Sequence, residues 1–126
     1  MLLNDGQGPA ARILERGTVP FMTQNHIGDL RVVTQTGEDP ALASAFPINP
    51  GVDFFGLGFQ IAVPELEGLR SPGSFSWSGL YNTHFWADPD RGLAGLLFVQ
   101  ILPFYDERIM ALFGDFELLV NQSFAP

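Results

Sequence analysis

The sequence of 126 residues contains no cysteine and no lysine, and each absence excludes a class of chemistry. Without cysteine there is no disulfide, no thiolate nucleophile and no cysteine-ligated zinc, and the redox compartment is left undetermined. Without lysine, these residues supply no lysine base, no Schiff base and no lysine that binds phosphate. The basic side chains are all arginines, scattered along the chain.

Basic clusters and long apolar runs are missing as well. The formal net charge is −8, and no nucleic-acid partner is indicated, because phosphate binding needs concentrated positive charge. No apolar run approaches the ~20 residues of a membrane span; the longest, 93–104, is interrupted by Gly95, Gln100 and Pro103. The first residues do not form a signal peptide, so localisation is unknown, and cytoplasmic if the chain is expressed as given.

Apolar and aromatic residues are plentiful instead. Hydrophobic residues make up 46% of the chain and 12 residues are phenylalanine, and a chain of this length can bury roughly two thirds of its unfolded surface. We therefore expect a single domain over residues 1–126. Its parts are short helices over 1–33, a surface loop over 34–53, antiparallel strands over 54–104 and a helix over 105–122.

The first predicted strands lie in the middle of the chain. In residues 54–63, large apolar side chains alternate with Gly56 and Gly58, a pattern typical of a strand to which another segment approaches closely. Residues 64–73 read as a hairpin-type connection. A second strand is predicted over 74–79, bending at 80–82 and continuing over 83–87.

A turn and a third strand follow. Asp88–Gly92 has Asp first, Pro next and Gly last, which is the chemistry of a turn and not of a catalytic carboxylate pair. Leu93–Leu102 is apolar on both faces, so we expect it to be central in the sheet and covered on both sides. Pro103 ends it.

Two helices complete the expected fold. Thr18 as N-cap and Pro20 in the first turn predict a short helix within 17–27 that ends near Asn25–Gly28. Asp106 as N-cap predicts the closing helix, with an apolar stripe of Ile109, Phe113, Phe116 and Val120. The predicted class is α+β: a small antiparallel sheet of three or four strands with a C-terminal amphipathic helix packed on it.

Few side chains are candidates for chemistry. Trp77-Ser78-Gly79 either forms part of a site or is a strand bend with a packed indole. His84 is either a base oriented by Asp88 or Asp90, or a packing residue, and the second reading is favoured. His26 falls at a predicted helix end, where it can bind the last carbonyls.

Neither a metal nor a cofactor is indicated. The two histidines and the scattered carboxylates do not make a metal site. Gly56-Leu57-Gly58 is not a phosphate loop, because no helix start follows it and lysine is missing. The aromatic residues are expected to lie mostly in the core: Phe54, Phe55, Phe59, Phe75, Phe85 and Trp86.

Several stretches, in order, resemble the C-terminal portion of the class C β-lactamase-like serine hydrolases, which include penicillin-binding proteins and family VIII carboxylesterases. The likeness covers nearly the whole chain and about the last third of a family member, so it implies a partial β-lactamase/transpeptidase-like fold. The matching stretches are GLGF (56–59), FSWSG (75–79), FWADP (85–89) and GL (92–93), preceded by MLLNDG (1–6), RIL (12–14) and FMTQN (21–25).

The resemblance also implies a site. The family uses a Ser-x-x-Lys nucleophile and base, a Tyr-x-Asn or Tyr-x-Ser loop, and a third motif such as Lys-Thr-Gly or Trp-x-Gly on a sheet-edge strand. Trp77-Ser78-Gly79 takes the place of the third motif in an esterase-like form. Gly79 would let substrate lie flat, Ser78 would bind a carboxylate or ester oxygen, and the Leu80 N–H would be an oxyanion-hole donor.

The first two motifs are absent, so three readings stay open. In the first, the chain is a C-terminal fragment of a serine hydrolase that is inactive alone. In the second, it is one half of a split enzyme whose partner chain supplies the nucleophile for a small ester or amide substrate. In the third, it is a non-catalytic module that self-associates through exposed sheet edges. A self-sufficient hydrolase using His84 and a local serine is the weakest reading.

Overall fold

Short strands and helices build the computed structural model, which describes residues 1–46, 49–64 and 69–124. In these ranges the helices lie toward the two ends of the chain, as expected, and the strands lie between them. In chain order the elements are a 3-10 turn (Leu2–Asn4), α1 (Thr18–Met22), β1 (Phe54–Phe55), β2 (Gln60–Ile61), β3 (Phe75–Ser78), β4 (His84–Asp88), β5 (Leu93–Leu97) and α2 (Glu107–Ser123).

The strands form one antiparallel sheet in the order β1-β2-β3-β4-β5, so each strand pairs with its neighbours in sequence. The longest ladders join β3 to β4, where Ser78 faces His84, and β4 to β5, where Trp86 faces Gly95. With α2 as the closing helix, the predicted α+β class is confirmed. The sheet has five strands where three or four were expected.

The extra strand comes from residues 54–63, which form a hairpin and not the single strand predicted. The chain reverses at Gly56–Gly58: the Gly56 N–H donates to Phe59 O at 2.8 Å, and Gly58 has a φ of +90°. A Cβ at Gly56 would overlap the Met22 carbonyl oxygen. The expected close approach therefore exists, and the approaching segment is the end of α1.

The strand predicted to bend at 80–82 is also a hairpin. β3 and β4 run antiparallel and are joined by a turn in which the Asn82 N–H donates to Gly79 O at 2.9 Å. Alternation is the same in one bent strand and in two paired strands, so the pattern alone did not separate them.

β5 is an edge strand, so the prediction that Leu93–Leu102 is central and covered on both sides was wrong. β5 pairs with β4 on one side, and no described strand pairs with it on the other. Leu96 is 56% exposed and Phe98 is 78% exposed. A run that is apolar on both faces signals a covered strand, but the partner that would cover it is not among the described residues.

The C-terminal helix begins as predicted. Asp106 caps α2, and its side chain accepts from the N–H groups of Arg108 and Ile109. The buried stripe begins with Ile109 and Phe113, as expected, but continues through Glu117 and Asn121 in place of Phe116 and Val120.

Glu117 and Asn121 are buried because each is paired. Glu117 accepts two hydrogen bonds from Arg70, at 2.7 and 2.6 Å, and Asn121 accepts one from Arg91 at 3.0 Å. Buried charge is tolerated only when it is paired in this way. Arginines from the strand connections thus hold the helix on the sheet.

The N-terminal half departs from prediction in its details. α1 ends at Met22, and its N-cap is Gly17 and not Thr18, with no side-chain cap. The predicted surface loop 34–53 contains a buried residue, Phe46, which forms a β-bridge with Gln35. The predicted 64–73 connection lies partly outside the described residues. Of the aromatic residues assigned to the core, Phe75 and Trp86 are fully buried and the other four are half-buried.

Asn82 joins the β3–β4 turn to the segment that leads into α2. Its side chain is fully buried and donates from Nδ2 to the carbonyls of Ile101 and Pro103, at 2.9 and 2.7 Å. Its Oδ1 accepts from the N–H groups of Tyr105 and Asp106, at 2.7 and 3.3 Å. Its φ is +61°, a left-handed conformation that asparagine tolerates better than most residues.

We expect Asn82→Ala to lower the free energy of unfolding by about 3–4 kcal/mol, because it removes four hydrogen bonds worth about 1 kcal/mol each. Asn82→Gly removes the same bonds but relieves the left-handed backbone, so it should cost about 1 kcal/mol less than Asn82→Ala. Urea unfolding of the three proteins measures both differences. A loss under about 1 kcal/mol for Asn82→Ala would contradict this role.

Candidate functional site

Trp77-Ser78-Gly79-Leu80 forms the end of β3 and the start of the β3–β4 turn. The Trp77 indole is half-buried and lies edge-on to two rings, Phe55 at 4.9 Å and Phe46 at 5.8 Å between centroids. Gly79 and Leu80 are exposed. Trp77 therefore fits the packed-indole interpretation, while Gly79 and Leu80 lie on the outside of the hairpin.

The pairing of β3 decides where its backbone groups point. The Gly79 N–H donates to Thr83 O at 2.8 Å, toward β4. Since successive residues of a strand direct their N–H groups to opposite edges, the Ser78 N–H points away from β4. The pairing of β2 with β3 reaches only Ser76, so no described strand lies against Ser78 on that edge.

Leu80 is the second residue of the turn that the Asn82 N–H closes on Gly79 O. The N–H at this position takes no part in the turn hydrogen bond. No hydrogen bond between described residues uses the Leu80 N–H, and the residue is 51% exposed. Ser78 and Leu80 therefore present two N–H groups at the end of an open strand edge.

The Ser78 side chain is fixed from the next strand. Its Oγ lies 2.7 Å from Nδ1 of His84, which is the cross-strand neighbour of Ser78. His84 is 1% exposed, with its ring 5.0 Å from the Phe113 ring and 6.2 Å from the Phe104 ring between centroids. Burial lowers the pKa of His84, so the imidazole is neutral at pH 7.

Asp88 and Asp90 do not orient His84 as a base. Asp88 is buried and accepts from the N–H groups of Ser71 at 2.8 Å and Arg91 at 3.1 Å. Its burial raises its pKa, but these hydrogen bonds and the Arg91 charge together bring the pKa below its usual value. Asp90 is exposed in the turn. Asp88 is thus the turn residue that the sequence predicted.

His26 lies far along the chain from this edge. It is exposed, and its Nε2 lies 2.6 Å from Phe21 O. Because a carbonyl oxygen only accepts, Nε2 must carry the proton. The histidine therefore bonds a carbonyl near the end of α1, which is the role expected for it.

Among the described residues, two clefts beside the sheet stand out, and Trp77, Ser78, Gly79 and Leu80 line neither of them. One, of about 230 Å³, separates the sheet from α2, and its charged groups include the paired Arg70 and Glu117. The other, of about 520 Å³, lies between the first residues of the chain and the β4–β5 hairpin and is lined mainly by apolar side chains.

Neither a metal site nor a membrane span is found in the part of the chain that the structure describes. No three His, Asp or Glu side chains of that part come together as metal ligands. No helix of that part is long and apolar enough to cross a bilayer.

Sequence reasoning missed the Ser78–His84 pair and the Asn82 amide. The available signal was Gly79-Leu80-Tyr81-Asn82, which ends in an asparagine and is short enough for a hairpin turn. Recognising that hairpin would have placed Ser78 opposite His84.

No family model matches the sequence. Two curated relatives from Mycobacterium tuberculosis, "Uncharacterized protein MT1414" of strain CDC 1551 / Oshkosh and "Protein Rv1367c" of strain ATCC 25618 / H37Rv, are each 30% identical over 108 residues. Each match covers 82% of this chain and 25% of the relative. The chain therefore spans about a quarter of the length of these relatives.

Among solved structures, the fold resembles that of simvastatin synthase (LovD) from Aspergillus terreus, in its LovD6 mutant form. The TM-score is 0.69 and the identity 25%, over 98% of this chain and 31% of the synthase. That protein is an acyltransferase of the β-lactamase/transpeptidase superfamily. The likeness supports this superfamily for the chain. A partial β-lactamase-like fold is therefore shown, as the sequence resemblance implied.

We expect the neutral state of His84 to make stability depend on pH. Because its pKa is lowered in the folded protein, the unfolded chain binds a proton more readily below about pH 6.5. The contribution of the neutral imidazole is complete above that pH and is lost as the pH falls toward the folded-state pKa. The slope is at most about 1.4 kcal/mol per pH unit.

Urea unfolding of the wild type and of His84→Gln between pH 7.5 and 5 measures this contribution. The wild type should lose more stability over that range than the variant does. Asp88 adds nothing to the comparison, since its lowered pKa acts below pH 3.8. Equal slopes would show that His84 is protonated in the folded protein as easily as in the unfolded one.

Proposed function

We propose that this chain supplies the third-motif strand and one wall of the oxyanion hole of a β-lactamase-like serine acyl hydrolase, with esters as the substrate class. The observation that carries the proposal is the open edge at Ser78–Leu80, where the Ser78 N–H points away from β4 and the Leu80 N–H makes no hydrogen bond to a described residue. The structural likeness to an acyltransferase of the same superfamily supports it.

The chemistry of this edge fits an acyl oxygen. A carbonyl laid along it accepts from the Leu80 N–H, and the bond strengthens as negative charge develops on that oxygen during attack. One such donor is worth about 2.7–4 kcal/mol of transition-state stabilisation. Gly79 presents no side chain, so a flat acyl group can approach the backbone closely. The tryptophan of the motif favours esters over β-lactams or D-peptides, on the strength of the family resemblance.

These residues do not supply the nucleophile. Ser-x-x-Lys requires a lysine, and the sequence has none. Tyr81 directly precedes Asn82, and Tyr105 precedes Asp106 and Glu107, so neither forms Tyr-x-Asn. Burial raises the pKa of Tyr105, which keeps its phenol protonated at neutral pH and unsuited to act as a base. An alkoxide must therefore come from residues supplied in addition to these.

We expect the 126-residue chain alone to show no turnover of p-nitrophenyl butyrate above buffer and no covalent labelling by a fluorophosphonate probe. An activated serine needs a base within hydrogen-bonding distance that can take up its proton. His84 lies beside Ser78, but its burial lowers the pKa of the imidazole and opposes that charge. Absorbance at the nitrophenolate band and intact-protein mass spectrometry give the two readouts. Turnover together with labelling of any serine in this chain would refute the proposal of inactivity.

Activity is expected when a second chain supplies Ser-x-x-Lys and Tyr-x-Asn; the unmatched three quarters of Rv1367c are the first candidate. In the active mixture, Leu80→Pro should lower kcat by about 10²–10³ because it deletes one oxyanion donor. Proline suits the second position of a turn, so the fold should be kept. Leu80→Ala, which retains the N–H, is the matched control.

Equal kcat values for Leu80→Pro and Leu80→Ala would show that the Leu80 N–H does not stabilise the transition state. A mixture that forms a stable complex but hydrolyses no ester would contradict the proposed function as a whole.

A second candidate function is a non-catalytic module that pairs with its own copy. The observation that favours it is the β5 edge, which has no strand partner among the described residues and carries exposed Leu96 and Phe98. An unpaired edge with apolar side chains is a template for strand pairing between chains. A twofold pairing of β5 with β5 would extend the sheet and bring these apolar side chains beside those of the second copy.

Light scattering after size exclusion tests this at tens of micromolar. We expect a dimer or larger species for the wild type and a monomer for Leu96→Lys/Phe98→Lys, because charge on an edge strand opposes pairing. Leu30→Lys, at another exposed leucine outside the sheet, is the control and should self-associate like the wild type. A wild-type monomer would exclude this function.

A further inference from the structure

The Ser78–His84 hydrogen bond has a direction, and that direction decides what Ser78 can offer to a ligand. Oγ and Nδ1 lie 2.7 Å apart, and either atom can be the donor. If Ser78 donates, its proton is used inside the protein. If His84 donates, the Ser78 hydroxyl proton is free to be donated outward.

The other ring nitrogen of His84 separates the two cases. Nε2 is buried and has no hydrogen-bond partner among the described residues. A proton on Nε2 would be a buried donor without an acceptor, which folded proteins rarely contain, whereas an unused acceptor lone pair is tolerated more often.

The neighbouring rings do not provide a substitute acceptor. The Phe104 ring lies at 18° to the imidazole and the Phe113 ring at 34°. An N–H in the plane of the imidazole runs nearly parallel to the stacked Phe104 ring and meets the tilted Phe113 ring only obliquely. These angles disfavour an N–H···π bond from Nε2 to either ring.

We infer that His84 carries its proton on Nδ1 and donates it to Ser78 Oγ, so that the Ser78 hydroxyl proton is presented to ligand. His84 is thus a positioning residue for Ser78. The tautomer rests on the geometry alone, and the identity of the ligand rests on the proposed function.

The consequence is an edge made of donors. The Ser78 hydroxyl belongs to the same edge as the unbonded N–H groups of Ser78 and Leu80, and Ser78 is only half-buried. An edge that offers donors selects ligands with acceptor oxygens. The chemical class is a carboxylate or an acyl carbonyl, and groups that only donate, such as ammonium, are disfavoured.

The tautomer can be read directly from the ¹⁵N shifts of the imidazole nitrogens and their couplings to the ring protons at pH 7.5. The chain has two histidines, and His26 provides an internal reference because its Nε2 must donate to Phe21 O. We expect opposite tautomers, with the proton on Nε2 in His26 and on Nδ1 in His84. His26→Gln removes one set of signals and assigns the other.

A proton on Nε2 of His84, or an equal mixture of the two tautomers, would overturn the inference. Ser78→Ala and Ser78→Thr provide the second readout. Ser78→Ala removes the acceptor of the Nδ1 proton and should shift the His84 tautomer signals, whereas Ser78→Thr keeps a hydroxyl there and should leave them in place. Unchanged His84 signals in Ser78→Ala would also overturn it.

The ligand is tested separately in the complemented ester hydrolase. Ser78→Ala should lower kcat/KM by about 10-fold, the cost of one hydrogen bond, and Ser78→Thr should restore it. If the tautomer is as inferred but the two variants have equal kcat/KM, the hydroxyl does not bind substrate, and the failure belongs to the proposed function. If the tautomer itself is wrong, the failure belongs to this inference.

Discussion

The side-chain amide of Asn82 is the constraint on which the geometry of the candidate site depends. Its hydrogen bonds connect the β3–β4 turn to residues 101–106, which end at the N-cap of α2. Its left-handed backbone sends the chain from the turn into β4. The direction of the Leu80 N–H follows from this turn, so a candidate oxyanion donor is fixed by a side chain that never touches a ligand.

The parts of the fold that were predictable from the sequence are those that depend on neighbouring residues. The Asp106 side chain accepts from the N–H groups two and three residues later, and Asp88 accepts from the N–H of Arg91 three residues later. Pairings between distant residues were not predictable. Glu117 is buried because Arg70, 47 positions earlier, meets it, and an amphipathic pattern cannot register such a partner.

The candidate site shows the same division. The order of motifs is what proposes Trp77–Leu80 as the site, because that information lies in the residues themselves. The direction of each N–H and the partner of Ser78 depend on the cross-strand register, which opposes Ser78 to His84 and is set by the length of the turn. The prediction of a central strand from the apolar run after Gly92 was wrong for a related reason. The composition favours a strand covered on both faces, but it does not specify which residues cover it.

A histidine hydrogen-bonded to a serine invites comparison with a catalytic pair, and the surroundings of His84 argue against that role. A general base must accept a proton and hold the resulting charge, which burial against two phenyl rings opposes. It also needs an orienting carboxylate, and Asp88 is committed to Ser71 and Arg91. The same burial is well suited to holding a neutral ring in one tautomer. The pair therefore orients a hydroxyl and does not create an alkoxide, so attack on an acyl group requires a base from outside these residues.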